Sequence, residues 1–168
     1  MSAPLRRPFL PNPYTVQDTF YQQRHLYPVL IYIHGGDFVE GSGNFYGARK
    51  LLMNEDVVLV TFNYRLGIFG FLSSGDENIP GNYGLLDQIF AIKWVQKYIQ
   101  RFGGNPTRVT IFGDVGYLLF SPLSGGLFQG AIWTTNSGSM FSPPGNKSLM
   151  LNPKEFTQEI ATAAGCTT

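Results

Sequence analysis

The sequence predicts an α/β fold with a mainly parallel sheet. Short, continuous apolar runs rich in branched residues recur along the chain. A long stretch between two of them carries apolar residues at helical spacing, and glycine or proline closes each segment. Strands alternating with helices are the pattern of a parallel sheet, because each helix returns the chain to the starting edge.

Residues 1–27 hold four prolines among polar and aromatic residues with no period, and read as an irregular arm. In "PVLIYIHGG", residues 29–33 form an unbroken apolar run closed by two glycines, which suits a strand buried on both faces. "DVVLVTFNY" (56–64) and "RVTIFG" (108–113) repeat the pattern, and "FQGAIWTTNSG" (128–138) supplies a fourth strand. Between the second and third strands, Pro80-Gly81-Asn82 makes a turn in which Asn82 can cap a helix. Leu85, Ile89, Ile92, Val95, Ile99 and Phe102 then fall at spacings of three and four, one apolar stripe facing a sheet. Lys93, Gln96, Lys97, Gln100 and Arg101 lie mostly on the other side, and Gly103-Gly104 ends the helix ahead of Pro106. Residues 153–166 read as a short helix. Without repeats or an internal linker, residues 28–168 read as one domain.

Hydrophobic residues make up 43% of the 168 and charged ones 14%, so much of the chain is interior. A net charge of +1 argues against nucleic acid and against a polybasic membrane surface. Apolar runs such as 57–60 are far too short for a spanning helix, and "MSAPLRRPFLPNPY" has no signal-peptide core. Two histidines and one cysteine have no metal-ligand spacing, and no phosphate loop is present, so no metal or other cofactor is expected. Cys166, the one cysteine, is either a free thiol in a small helix or half of a disulfide. His25 reads as a solvated residue of the arm.

"PVLIYIHGGDF", then the stretch from "DVVLVTFNYRLG" through "NYGLLDQ" to "FGGNPTRVTIFG", then "SPLSGGLFQGAI" and "NSGS", come in one order. That series resembles the type-B carboxylesterases, the cholinesterase-like branch of the α/β-hydrolases, with substitutions most like those of insect esterases. The resemblance implies a partial α/β-hydrolase fold. It makes the chain an early, internal piece of a protein on the order of 500 residues or more. It implies hydrolysis of small-molecule carboxylic esters by a serine, with a glutamate or aspartate and a histidine later in the chain. Such proteins are often secreted or held in the endoplasmic reticulum. Cys166, in "AAGCTT", resembles a family cysteine that pairs a short distance downstream.

The family's nucleophile elbow reads approximately F-G-E-S-A-G and leads into a helix. Here "FGD" runs directly into "VGYLLFSPLS". The resemblance implies a gap of about six residues, or roughly one and a half helical turns, which removes the serine. No serine in the chain has a glycine two residues before and two after it. The serine is thus missing, the resemblance implies that the acid and the catalytic histidine would come later than this stretch, and no catalytic residue is assigned. Loss of one triad member already costs about 10⁴-fold in rate, so ester hydrolysis by this chain is not expected.

What remains is an oxyanion-hole remnant, Gly35, Gly36 and Asp37. By resemblance the N–H groups of Gly36 and Asp37 are its donors, with Asp37 standing where glycine is commoner. His34 is expected to pack behind this loop, Asp114 takes the place of the elbow glutamate, and Arg65 reads as a structural ion-pair residue. Ser137 and Ser139 read as packing residues near the pocket. The shortened helix is expected to turn Tyr117, Leu118 and Phe120 out of phase with the sheet. The alternative reading is a non-catalytic adhesion protein of the cholinesterase-like kind, which binds protein partners.

Overall fold

The computed structural model describes residues 25–45, 56–134 and 152–166. Four parallel strands form one sheet in the order β2-β1-β3-β4. They are β1 (Tyr27–Ile33), β2 (Val58–Thr61), β3 (Gly104–Gly113) and β4 (Gly130–Trp133). β1 and β3 are central and run in register from Val29 opposite Val109 to Ile33 opposite Gly113. The four strands fall where the apolar runs place them, in a parallel sheet with flanking helices, the partial α/β-hydrolase arrangement.

A short helix, α1 (Gly67–Phe71), follows β2 and has no counterpart in the sequence reading. The long crossover helix α2 (Tyr83–Tyr98) tightens into a 3₁₀ turn over Ile99–Phe102. α3 (Gly116–Phe120) follows β3, and α4 (Pro153–Ala163) lies near the end of the chain. Val29, Ile31 and Ile33 of β1 and Val109 and Ile111 of β3 point to one face of the sheet. Ile89, Ile92 and Val95 of α2 and Leu118 of α3 cover that face, making one core.

Four expectations are corrected. Strands buried on both faces were expected, yet the opposite face is half-buried: Tyr32 and Phe112 pair there with ring centroids 5.0 Å apart, and Ile132 is largely exposed. Both helices that join the core lie on a single side. Asn82 precedes α2 but makes no side-chain cap. Its backbone is left-handed (φ 59°), which takes the side chain away from the first-turn amides, and its carbonyl alone accepts from Leu86. Phe102 leaves the buried stripe and is 63% exposed, because the 3₁₀ turn shifts the helical phase after Ile99. In the shortened helix α3, Leu118 joins the core and Tyr117 is half-buried against Phe38, while Phe120 faces outward.

α4 begins as the sequence suggests, with the Asn152 side chain accepting from the Glu155 amide. None of its residues is buried, and the Thr157 hydroxyl donates to the Ser73 carbonyl at 2.6 Å. No helix among the described residues is long and apolar enough to cross a membrane.

Candidate functional site

The carboxyl ends of β1 and β3 converge on one cluster of polar residues. β1 runs into the loop His34-Gly35-Gly36-Asp37-Phe38, and β3 ends at Gly113-Asp114. The two ends are stitched together, since the Asp114 amide donates to the Ile33 carbonyl at 2.9 Å. Gly113, with φ 103°, permits this approach; a β-carbon there would lie 2.2 Å from that same carbonyl oxygen.

The loop after β1 folds back tightly. The amides of Val39 and Glu40 both donate to the Gly36 carbonyl at 3.0 Å. Gly36 has φ 120°, and a β-carbon would sit 1.9 Å from the Glu40 oxygen. Asp37 and Phe38 take left-handed backbone angles, φ 52° and 61°, which cost a side-chain-bearing residue about 1–2 kcal/mol each. Packing offsets this. The Phe38 ring meets Phe71 at 4.8 Å and Tyr117 at 5.6 Å, and its carbonyl accepts from the Gly67 amide at 2.6 Å. The loop thus holds its shape through α1 and α3. The amides of Gly36 and Asp37 donate to no acceptor among the described residues.

Behind the loop lies His34, 1% exposed, stacked on Tyr64 with centroids 4.4 Å apart. The Tyr64 hydroxyl donates to the His34 carbonyl at 2.7 Å. Burial, with the nearby charge of Asp114, holds the Tyr64 hydroxyl well above its ordinary pKa, so it stays a donor. Burial also pushes the Asp114 carboxyl up; the charge of Asp37 adds to this and His34 draws it partly back. His34 Nε2 and both amide atoms of Gln88 are buried and make no hydrogen bond among the described residues. Such orphaned atoms cost about 1–3 kcal/mol each, so among the described residues the unsatisfied buried side-chain atoms gather here.

Arg65 forms the expected ion pair. Its Nε and Nη2 donate to the two oxygens of Asp87, each at 2.7 Å, and its backbone amide donates at 3.1 Å. The guanidinium also lies 5.2 Å above the Tyr83 ring. Arg65 is thereby committed to tying the loop after β2 to α2. Hydrogen bonding from Arg65 holds the Asp87 carboxyl below its usual range.

Sequence reasoning reached Gly35, Gly36, Asp37, His34 and Asp114, and the structure gathers all five. It missed Tyr64 and Gln88. Gln88 left a signal, since it interrupts the apolar spacing of the helix between Leu85 and Ile92. His25 is exposed beside Tyr27, and Cys166 is an exposed thiol just past α4. Ser137 and Ser139 lie outside the described residues.

The turn after β3 decides what this cluster can do. A strand-to-helix turn that presents a nucleophile needs its side chain raised at the apex. Here the apex holds Asp114 and Val115, both buried, and the Val115 amide is taken by the Gly113 carbonyl at 3.1 Å. A sequence model of the carboxylesterase family matches residues 12–168.

The chain belongs to the carboxylesterase family.

Its relatives carry several names. Neuroligin-2 of Mus musculus is 44% identical over 145 residues, covering 83% of this chain and 17% of that protein. Pyrethroid hydrolase Ces2e of Rattus norvegicus is 46% identical over 146 residues, covering 83% and 25%. Cocaine esterase of Oryctolagus cuniculus is 51% identical over 111 residues, covering 62% and 21%. The chain therefore spans between 17% and 25% of the length of these three carboxylesterase-family proteins.

Proposed function

We propose that this chain carries the carbonyl-facing loop of a carboxylesterase without the group that attacks the ester, and that it does not hydrolyse carboxylic esters. The observation that carries the reading is the turn from β3 to α3, where Asp114 and Val115 occupy the apex and no serine stands. Gly36 and Asp37 supply two amides free to meet a carbonyl oxygen. The turn after β3 adds no third donor, since the Val115 amide is bonded to the Gly113 carbonyl. In a longer family protein that carries the serine, the acid and the histidine, the same loop would face the carbonyl oxygen of a small-molecule ester.

The carboxylate of Asp114 does not replace the serine. It is buried, so it presents no exposed oxygen to an ester carbonyl. The test is steady turnover of p-nitrophenyl acetate, with covalent labelling by a fluorophosphonate. Neither turnover above buffer nor labelling is expected. Turnover that survives purification and is lost in Asp114→Asn or His34→Ala would overturn the proposal.

The second reading is a binding protein of the cholinesterase-like adhesion kind. What favours it is the exposed aromatic face of α2, on the side of the helix away from the core.

A further inference from the structure

The loop after β1 bends at consecutive residues, since Gly36, Asp37 and Phe38 all have positive φ. Strained turns of this kind persist only where their surroundings over-determine them. Part of that constraint is internal. The Gly36 carbonyl holds the amides of Val39 and Glu40. Gly41, at φ 120°, returns so close to the start of the loop that a β-carbon would lie 2.5 Å from His34 Nδ1.

The rest comes from a short stretch just after β2, residues 63–67, which ties the loop down at its start, middle and end. At the start, the Tyr64 hydroxyl donates to the His34 carbonyl at 2.7 Å and its ring stacks on the imidazole. In the middle, the Gly67 amide donates to the Phe38 carbonyl at 2.6 Å. At the end, Asn63 Oδ1 accepts from the Gly43 amide at 2.9 Å and from the Ser42 hydroxyl at 3.3 Å. A backbone amide can only donate, so the Asn63 atom facing Gly43 is its oxygen. The Ser42 hydroxyl in turn accepts from the Asn44 amide at 3.1 Å. Asn63 lies exposed and outside the core, so it holds the loop by hydrogen bonds rather than by packing.

We propose that Asn63 and Tyr64 are positioning residues, which clamp the two ends of this loop and so fix the Gly36 and Asp37 amides where they meet a carbonyl oxygen. Both act through the loop backbone. A preorganised donor pair needs such support, because amides left to swing would have to be ordered each time they meet their acceptor. The inference rests on the reading of Gly36 and Asp37 as the carbonyl-facing amides. Its test reads the shape of the loop and not ester turnover, so either can fail alone.

The test is amide hydrogen exchange, with proton–nitrogen correlation spectra, on the full 168-residue chain and three variants: Asn63→Ala, Asn63→Asp and Tyr64→Phe. Tyr64→Phe keeps the ring and removes the donor; Asn63→Asp keeps an acceptor oxygen for Gly43. In Asn63→Ala and Tyr64→Phe, the Val39 and Glu40 amides should exchange about tenfold faster, the loss of one hydrogen bond. The Gly36 and Asp37 resonances should shift and broaden. The Ile31 and Ile111 amides, at the centre of the sheet, should change far less. Asn63→Asp should return the loop to its original exchange rates. Loop exchange that is unchanged, or that rises by the same factor as Ile31 and Ile111, overturns the proposal, because a residue that merely stabilises the fold moves both alike. An Asn63→Asp chain that behaves like Asn63→Ala also overturns it. Asn63 is on the surface, so its two variants decide the outcome even where Tyr64→Phe fails to fold.

Discussion

Asp37 holds a left-handed backbone angle that glycine adopts without strain, and it places a carboxylate near Asp114. Asp37→Gly is therefore expected to stabilise the chain by about 1 kcal/mol, read as a higher urea midpoint. It should also lower the Asp114 pKa, read by carboxyl-carbon NMR. Asp114 itself sets a pH dependence. Its pKa is raised in the folded state, so the fold favours the protonated form. That stabilisation is full below the ordinary aspartate pKa of about 4 and is lost as pH rises through the folded value. Asp114→Asn should raise the melting temperature by a few degrees at pH 7, and the gain should vanish as pH falls below about 4. The loop glycines and His34 were legible because their order along the chain is distinctive. Tyr64 was not, because a tyrosine just past a strand carries no mark of the carbonyl it will meet.

Among the elements, α2 gives the sharpest contrast. Ile92 and Phe90 are two residues apart on opposite faces. Ile92→Ala should cost about 2–5 kcal/mol, while Phe90→Ser should change stability by no more than about 0.5 kcal/mol, both read from denaturant midpoints. Apolar spacing revealed the inner stripe, yet Leu86, Phe90 and Trp94 repeat the same spacing on the outside. Periodicity tells which residues share a face; it does not tell which face meets the sheet when both are apolar. The end of the helix was legible from Gly103, but the switch to a 3₁₀ turn was not, since nothing in "IQRF" distinguishes three residues per turn from 3.6.

For the whole molecule, the parallel sense of the strands followed from alternating strands and helices, whereas the uneven burial of the two sheet faces did not. Branched residues on both sides of a strand report its propensity; burial depends on what lies across from it. β4 is an edge strand of the described sheet, and its Ile132 is 55% exposed. Ile132→Lys is expected to reduce aggregation of the 168-residue chain by light scattering, as charges on edges oppose intermolecular pairing. The loose seating of α4 has a further consequence. A helix with no buried residue can detach while the sheet stays whole. Its amide protons should exchange with solvent deuterium at rates indifferent to mild denaturant. Those of Ile92 and Ile111 should exchange only when the entire chain unfolds.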